Sequence, residues 1–360
     1  MRIAIYVHDM RASGVVRAMI ALARFLAEQG DDAVLIAGSA AGHFTAADVA
    51  PARFVAATAG ASVSQAGVVP ALRRSIRAVA PEMVLSGGNH GHVSLWAASR
   101  GLGIPLVLVF SNPMERAGQP LRNRWRLVKS RVLIAAAARA IVVGRNLADD
   151  RAFAPGIAAG RVVLIRNGIP RRGQGRSPVP DAMMGVEPTV LAIGRLHHQK
   201  NFEGLIDAVA HANRVRPLRL VILGSGDPAY RDTLHARARD HGIADRVLFA
   251  GVTDDVYAWL HAARLFAIAS WWEGSSIALL EALDAGLPIV ASTTAGDAVE
   301  ILDDGRYGTL AAPDDPAAFA AALLAQAGDD PILPGDRIRR YDQTGMMTAY
   351  RDVLIAAAGG

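Results

Sequence analysis

Short apolar runs alternate with longer amphipathic stretches along nearly the whole chain. Between the runs, apolar residues recur at helical spacing, as in VVRAMIALARFLAEQG, which closes on Gly30. This alternation is typical of βαβ units and predicts a parallel sheet covered by helices. In the first half, the runs predicted as buried strands are IAIYV (3–7), AVLIAG (33–38), EMVLSG (82–87), PLVLVF (105–110), AIVVG (140–144) and RVVLI (161–165).

The alternation stops once and then restarts. Residues 171–188 are rich in glycine, proline and charge and are interpreted as a linker. We therefore predict an α/β protein of two doubly wound Rossmann-like domains, 1–175 and 176–339, facing a central cleft, with a last helix at about 340–360 crossing back to the first domain. The strands predicted after the linker are PTVLAIG (188–194), LRLVILG (218–224), RVLFAG (246–251), RLFAIAS (264–270) and LPIVAS (287–292).

Composition narrows the possible chemistry. The 360 residues include no cysteine, which excludes disulfides, thiolate metal sites and cysteine nucleophiles. The first residues, MRIAIYV, lack a signal-peptide pattern, and no uncharged apolar stretch approaches the roughly 18 residues of a membrane span. We expect a cytoplasmic protein, with peripheral attachment to the inner face of the membrane left open.

Charge is divided between the halves. Residues 1–180 hold 23 Lys and Arg against 9 Asp and Glu, whereas residues 181–360 hold 15 against 24. A basic half suits an anionic membrane surface, a phosphorylated substrate or nucleic acid, and arginine enrichment without function is the alternative. Of the 38 basic residues only two are lysine, Lys129 and Lys200.

The stretch GRLHHQKN, residues 194–201, contains the second of these lysines. It follows a predicted strand and precedes the helical stretch NFEGLIDAVAHA. Arg195 and Lys200 thus lie on a loop near a helix N-terminus, where a guanidinium, an ammonium and the helix dipole favour a polyanion such as a diphosphate. A solvated surface loop is the alternative.

The segment SWWEGSSIALLEALDAGLPIVAS carries the second candidate site. Glu273 stands at a predicted strand end, and the following small residues offer unpaired amides where a helix starts. Glu281 lies among leucines and alanines, where a carboxylate needs polar partners. Two carboxylates around a helix N-terminus suit a ligand with sugar hydroxyls and a phosphate. A capping acid plus an ordinary surface glutamate is the alternative.

The second half contains four motifs in this order: GRLHHQKN, LGSGD, FAGVTDD and EGSSIALLEALDAGLPIVAS. Their order and spacing make this chain similar to glycosyltransferase family 4, whose members are retaining GT-B enzymes that use nucleotide-sugar donors. The resemblance implies that Arg195 and Lys200 hold the donor diphosphate, that Glu273 contacts hydroxyls of the transferred sugar, and that Glu281 binds the ribose hydroxyls. The remaining donor-binding positions that it implies are Gly274, Ser275, Ser276, Ile277, Val252 near the nucleobase and Gly14 in the N-terminal half.

The N-terminal half matches more loosely. Where relatives commonly carry paired glycines, this chain has Ser13 and Gly14, and where a strand often ends with histidine it has Ser111 and Asn112. Asn112 is therefore a candidate on the acceptor side. So are His90 and His92 in SGGNHGH, with a structural role in a polar loop as the alternative for either.

The resemblance further implies a retaining hexosyltransferase in which the acceptor attacks the donor from its front face, with a uridine diphosphate sugar favoured as the donor. No D-x-D pair occurs in the sequence, so we expect no metal and no cofactor beyond the nucleotide-sugar substrate. The expected acceptor is a glycan or a lipid-linked molecule in surface polysaccharide or glycoconjugate assembly. The segment 116–137, with six basic residues and Trp125, could lie on an anionic bilayer; a solvated basic helix is the alternative.

Three rival functions are weaker. A nicotinamide-dependent oxidoreductase would need G-x-G-x-x-G after the first strand, where HDMRASGVVR stands instead. An epimerase or phosphorylase of the same GT-B architecture is disfavoured by the two glutamates eight residues apart. A nucleic-acid-binding protein would rest on the basic half alone, without an aromatic stacking cluster, so no nucleic acid is expected as a partner.

Overall fold

A computed structural model describes residues 1–60, 63–116, 118–170, 178–185, 188–328, 330, 333 and 335–359. Its contacts divide the chain into two compact units, Met1–Arg166 with Thr344–Gly360, and Asn167–Gln343. The predicted linker falls partly outside the described residues, at 171–177 and 186–187.

The first unit is built around one parallel sheet. Its strands are β1 Arg2–Val7, β2 Asp32–Ser39, β3 Arg53–Thr58, β4 Met83–Gly87, β5 Leu106–Phe110, β6 Arg139–Val142 and β7 Val162–Leu164. They lie in the order β3-β2-β1-β4-β5-β6-β7, and each pairing is parallel. The helices that connect them are α1 Gly14–Glu28, α2 Ala46–Val49, α3 Val69–Val79, α4 His92–Ser99, α5 Pro120–Ala136, α6 Arg145–Ala148 and α7 Ala154–Ala158.

The second unit repeats this plan with a six-stranded sheet. Its strands are β8 Thr189–Ile193, β9 Arg219–Leu223, β10 Val247–Gly251, β11 Leu265–Ile268, β12 Ile289–Ser292 and β13 Thr309–Ala311. They lie in the order β10-β9-β8-β11-β12-β13, again all parallel. Its helices are α8 Phe202–Asn213, α9 Pro228–Asp240, α10 Val256–Ala262, α11 Ile277–Asp284, α12 Ala298–Ile301 and α13 Pro316–Gly328.

The prediction of two doubly wound parallel sheets is confirmed. Every strand predicted from an apolar run is present, because a strand with helices on both sides is buried on both faces and reads as a continuous apolar run. The central strands β4 and β5, for example, are buried at every position. The two strands without a predicted counterpart, β3 and β13, both lie at sheet edges.

The last helix, α14 Gln343–Ala358, packs on the first unit. Met347, Tyr350 and Leu354 are buried in the core of that unit. Arg351 Nε donates to Asp31 Oδ2 at 2.8 Å, and the same carboxylate binds the N-terminal amine of Met1 at 3.1 Å. Among the described helices, none is both long and apolar enough to cross a membrane.

Candidate functional site

The loop between β8 and α8 presents the arginine and lysine of GRLHHQKN. A short 3-10 turn, His198–Lys200, ends at Asn201, whose backbone is left-handed with φ 51° and ψ 44°. Asparagine adopts this conformation more readily than most residues. The Asn201 side chain accepts from the Gly204 amide at 3.2 Å and donates to the Pro313 carbonyl at 2.9 Å. The turn that carries Lys200 is thus held from both sides.

Lys200 runs back across the backbone of Gly194 to reach Glu273. A Cβ on Gly194 would lie 2.7 Å from Lys200 Cε, so the absence of a side chain makes room for the lysine. Lys200 Nζ lies 2.5 Å from Glu273 Oε1, and the two side chains are 18% and 11% exposed. A carboxylate so far removed from water needs a compensating cation. Lys200 supplies it.

Two polar residues that sequence reasoning missed complete the surroundings of Glu273. Ser270 Oγ donates to Glu273 Oε1 at 2.9 Å. Gln199 Nε2 donates to Glu273 Oε2 at 3.2 Å and to the Trp272 carbonyl at 2.8 Å, while the Trp271 amide donates to the Gln199 carbonyl at 2.9 Å. Gln199 therefore ties the loop after β8 to the loop after β11. The available signal was its position beside Lys200.

The segment Gly274–Ile277 leads into helix α11. Ser276 is the N-cap, since its side chain accepts from the Leu279 amide at 3.3 Å. The Ser275 carbonyl accepts from Asn167 Nδ2 at 3.1 Å. The first amides of a helix point out of its N-terminus and, with the helix dipole, attract anions. The N-cap of α11, Ser276, lies three residues after Glu273 in the chain.

Glu281 lies one turn inside α11 and is 7% exposed. Leu279, Leu280 and Leu283 in the same helix are fully or almost fully buried. Carboxylates are rarely buried among such neighbours without polar partners. The prediction that this glutamate occupies an apolar position is confirmed by its burial.

The glycine-rich turn LGSGD packs directly against the loop after β8. A Cβ on Gly224 would lie 2.0 Å from the Gly194 carbonyl oxygen, and a Cβ on Gly226 would lie 2.2 Å from that of Leu196. These glycines thus serve close packing of two loops. On a third loop, Val252 directly follows β10 and is 40% exposed.

The second unit therefore gathers its sequence-predicted residues at one sheet edge. Parallel strands end at the same edge, and the residues follow β8, β10 and β11. Lys200 and Glu273 are in direct contact, and Arg195 is exposed on the loop that carries Lys200. Carboxyl ends of parallel strands are where such sheets bind ligands.

In the first unit, Gly14 is the first residue of α1, after β1. The N-cap is Ser13, whose Oγ accepts from the Val16 amide at 3.2 Å. Gly14 is exposed. Its amide belongs to the first turn of a helix that starts at the carboxyl edge of this sheet.

The structure separates the two candidate histidines of SGGNHGH. His92 is 1% exposed, its Nδ1 lies 2.9 Å from Ser86 Oγ, and its ring edge contacts Phe110 at a centroid distance of 4.5 Å. Burial, helped by the charge of Lys129, lowers the pKa of His92 to about 3. His92 is thus a neutral interior side chain, whereas His90 is exposed.

His90 meets a residue that sequence reasoning missed, His8, which directly follows β1. The two rings form an edge-to-face pair at 4.4 Å. His8 is held by the Val63 carbonyl at 3.0 Å and by the Tyr6 hydroxyl at 3.2 Å. A polar residue immediately after a buried strand was the available signal for it.

Asn112 lies two residues after β5 and is half-buried, with its Nδ2 3.5 Å from Ser111 Oγ. Ser111 in turn donates its backbone amide to Asn89 Oδ1 at 2.8 Å. Because β1, β4 and β5 are neighbours in the sheet, His8, His90 and Asn112 all follow adjacent strands. Within the described ranges, no three His, Asp or Glu side chains are grouped so that they could hold a metal ion.

Two family profiles match this chain, one on each half. The profile described as Glycosyltransferase Family 4 matches residues 12–172, and the one described as Glycosyl transferases group 1 matches residues 187–329. Together they account for most of the sequence.

Curated relatives include a named glycosyltransferase and a glycogen synthase. A lipopolysaccharide core biosynthesis glycosyltransferase, LpsE, of Rhizobium meliloti is 34% identical over 40% of this chain and 41% of its own. Glycogen synthase of Mycobacterium tuberculosis is 31% identical over 58% of this chain and 51% of its own. The chain thus spans about half the length of the curated relatives it matches.

Solved structures resemble the chain over nearly its full length. Sucrose-phosphate synthase from Thermosynechococcus elongatus has a TM-score of 0.80 at 18% identity, covering 98% of this chain and 99% of its own. Anabaena Alr3699/HepE, solved with UDP and glucose, has a TM-score of 0.77 at 20% identity, with the same coverage. These likenesses define the class: the protein has the GT-B fold of glycosyltransferases. With a matching profile on each half, the chain belongs to the group 1, or family 4, glycosyltransferases.

Proposed function

We propose that this protein transfers a hexose from a nucleoside diphosphate sugar, with UDP favoured, to a glycan or lipid-linked acceptor in surface polysaccharide or glycoconjugate assembly. The observation that carries the proposal is the contact of Lys200 with Glu273 at the carboxyl edge of the second sheet, next to the start of α11. Arg195 lies on the same loop as Lys200. Two cations and a helix N-terminus suit a diphosphate, and a buried carboxylate suits sugar hydroxyls.

The names of relatives support the class of substrate. LpsE is named for lipopolysaccharide core biosynthesis, and HepE has been solved with UDP-glucose. A Campylobacter jejuni relative, 28% identical over 47% of this chain, is named for transfer to a diphospho-undecaprenol acceptor. We extend a UDP-sugar donor and a glycan or lipid-linked acceptor to this chain on that basis.

In the proposed complex, Lys200 and Arg195 bind the oxygens of the donor diphosphate, and amides of Gly274–Ile277 face the same group. Glu273 accepts hydrogen bonds from hydroxyls of the transferred sugar, held in place by Ser270 and Gln199. Glu281 binds the ribose hydroxyls, and Val252 lies beside the nucleobase. Lys200, oriented by Glu273, is already in place when negative charge develops on the departing phosphate.

The proposed reaction retains the configuration of the sugar. The bond from the anomeric carbon to the diphosphate oxygen breaks, and the acceptor oxygen bonds to the same face of that carbon. The acceptor proton passes to the departing diphosphate. Catalysis then consists of stabilising the leaving group and aligning both substrates. Two fixed cations take the charge-neutralising role of a metal ion, so no metal is required.

The acceptor side of the proposal rests on the first unit. His90 and Asn112 follow adjacent strands at its carboxyl edge, and His8 supports the ring of His90. We propose that His90 and Asn112 contact the acceptor, with His8 as a positioning residue. His92 has no direct contact in this scheme, because its side chain is buried.

The proposal is tested by thermal unfolding with a panel of nucleotide sugars in the presence of EDTA. A ligand that binds only the folded state at 100 times its Kd stabilises it by about 2.7 kcal/mol. We expect UDP-sugars to raise Tm by several degrees and NAD to leave it unchanged. Stabilisation by NAD but by no nucleoside diphosphate would overturn the assignment.

A further inference from the structure

Helix α5, Pro120–Ala136, is apolar on two opposite faces. Its inner face packs on the core of the first unit, where Leu133 and Ile134 are 3% and 9% exposed. Its outer face carries a second set of large apolar side chains, whose exposed fractions are 79%, 77%, 49% and 52%. Spacings of four, three and four residues align them in one row along the helix. We call this row the outer stripe: Leu121, Trp125, Val128 and Val132.

Positive charge borders the outer stripe on both sides. At about 100° per residue, Arg122 and Lys129 fall on one flank of the row and Arg124 and Arg131 on the other. All four are exposed, and α5 contains no acidic residue. The remaining arginine, Arg126, points elsewhere, since it donates to Asn123 Oδ1 at 2.8 Å and Gln119 Oε1 at 2.6 Å. The outer stripe therefore has two basic borders.

We propose that α5 docks on an anionic lipid bilayer, lying parallel to its surface with the outer stripe inserted at the boundary between headgroups and acyl chains. An interfacial helix combines an apolar row with flanking Lys and Arg, whose long side chains extend to the headgroups. Trp125 suits the same boundary, because tryptophan concentrates at membrane interfaces. Each exposed basic border residue adds attraction to an anionic surface.

The charges favour a bilayer over a second copy of this chain. A symmetric pair of α5 helices would bring the four basic border residues of one copy against those of the other, with no acid on the helix to compensate. Nucleic acid would satisfy the basic borders but would leave the apolar row in water. An anionic bilayer satisfies both.

This inference concerns membrane binding alone and does not depend on the proposed sugar transfer. The test is flotation of the full chain with phosphatidylglycerol-containing vesicles and with pure phosphatidylcholine vesicles, at low and high salt. We expect recovery with the anionic vesicles at low salt and weaker recovery in the other three conditions. Absence of the protein from the anionic lipid fraction would overturn the proposal.

Matched variants separate the outer stripe from general charge and hydrophobicity. The double variant Leu121→Ser, Trp125→Ser should reduce partitioning of the protein onto anionic vesicles at least about tenfold. The double variant Val215→Ser, Ile355→Ser should not, although it also replaces two exposed apolar residues. The charge control replaces four exposed arginines elsewhere in the first unit with glutamine: Arg24, Arg74, Arg77 and Arg161. It should bind better than the variant in which Arg122, Arg124, Lys129 and Arg131 become glutamine.

We call the double variant Leu121→Ser, Trp125→Ser the stripe variant. Equal vesicle binding by the stripe variant and the parent protein would contradict the proposal. So would a concentration-dependent dimer that the stripe variant abolishes while vesicle binding stays absent. Because the exchanged side chains are exposed, unchanged thermal unfolding verifies the fold of each variant.

Insertion of the outer stripe into the bilayer is measured through the fluorescence of Trp125. Brominated acyl chains should quench part of the tryptophan fluorescence of the bound parent protein. Trp125→Phe keeps an aromatic anchor, so it should still bind the vesicles but lose that quenching. Quenching that survives Trp125→Phe would show that another surface inserts and would overturn the orientation.

Discussion

At the scale of single residues, the position of the Lys200 ammonium depends on Gly194, which has no side chain. Gly194 leaves space for the lysine stem to cross its backbone, and the stem then reaches the buried Glu273. A catalytic cation displaced by about 1 Å can cost roughly a hundredfold in rate. Gly194 therefore contributes to the proposed site by leaving room for Lys200.

Gly194→Ala should displace Lys200 without removing any charge. A Cβ at this position would lie 2.7 Å from Lys200 Cε, and the lysine is the flexible partner, so it moves. We expect kcat/KM for sugar transfer to fall about ten- to hundredfold, while Tm changes by only a few degrees. Steady-state kinetics and thermal unfolding measure the two effects.

Gly328→Ala is the matched control, because a Cβ there meets nothing within 4 Å and the residue is exposed at the end of α13. It should leave kcat/KM at the parental value. An unchanged kcat/KM in Gly194→Ala as well would show that the precise placement of Lys200 is not needed.

Residue identity and spacing were enough to place Lys200 and Glu273 at strand ends, but not to show their contact. Contacts between loops, such as those of Gln199 and Ser270 with Glu273, depend on how two loops of different strands fold together. Likewise His90 and His92 look equivalent in SGGNHGH. The chain enters α4 at His92, which turns that ring into the core and leaves His90 outside.

At the scale of elements, the two strands that the sequence pattern did not predict, β3 and β13, are edge strands. β3 is half-exposed along much of its length, and β13 has only three residues. Neither forms the continuous apolar run that burial on two faces produces. Helix α5 was predicted as a bilayer-bound or a solvated basic segment; its sequence alone did not show which apolar residues pack inward and which remain exposed.

A salt-bridge cluster joins helices α8 and α9. Asp207 accepts from Arg237 Nε at 2.6 Å and Nη2 at 2.5 Å, and from His241 Nε2 at 2.8 Å. Burial alone would raise the pKa of Asp207, but the hydrogen bonds and charges of Arg237 and His241 outweigh it and hold this pKa below its ordinary value. The stabilisation is therefore present above about pH 4 and is lost as pH falls through the lowered pKa.

Asp207→Asn should lower the free energy of unfolding by about 1–2 kcal/mol at pH 7, a modest amount because Arg237 is 43% exposed. The difference from the parent should shrink as pH falls below about 4, because the parent then loses the same contribution. Urea unfolding between pH 7 and pH 2 measures this. Asp232→Asn, which removes an exposed carboxyl of α9, is the control. A difference that stays constant down to pH 2 would contradict the account.

At the scale of the whole molecule, the two sheets share one plan but carry different charge and different candidate chemistry. The basic first half bears the acceptor candidates and the outer stripe of α5, whereas the acidic second half bears Lys200, Arg195 and Glu273. The repeated alternation of apolar runs and helices made this plan predictable, because it reflects burial on both faces of each sheet. The donor sugar and the acceptor depend on side-chain contacts with ligands, which no periodicity encodes.

The most direct test of the account is the kcat/KM of Lys200→Ala and Arg195→Ala with the nucleotide sugar that most stabilises the parent. Removing one group that stabilises a charged leaving group typically costs about 2.7–4 kcal/mol, so each variant should lose about a hundred- to a thousandfold. Arg231→Ala, which removes an exposed arginine of α9, should keep the parental value. If folded Lys200→Ala and Arg195→Ala turn over the donor as fast as the parent, the proposed diphosphate site is wrong.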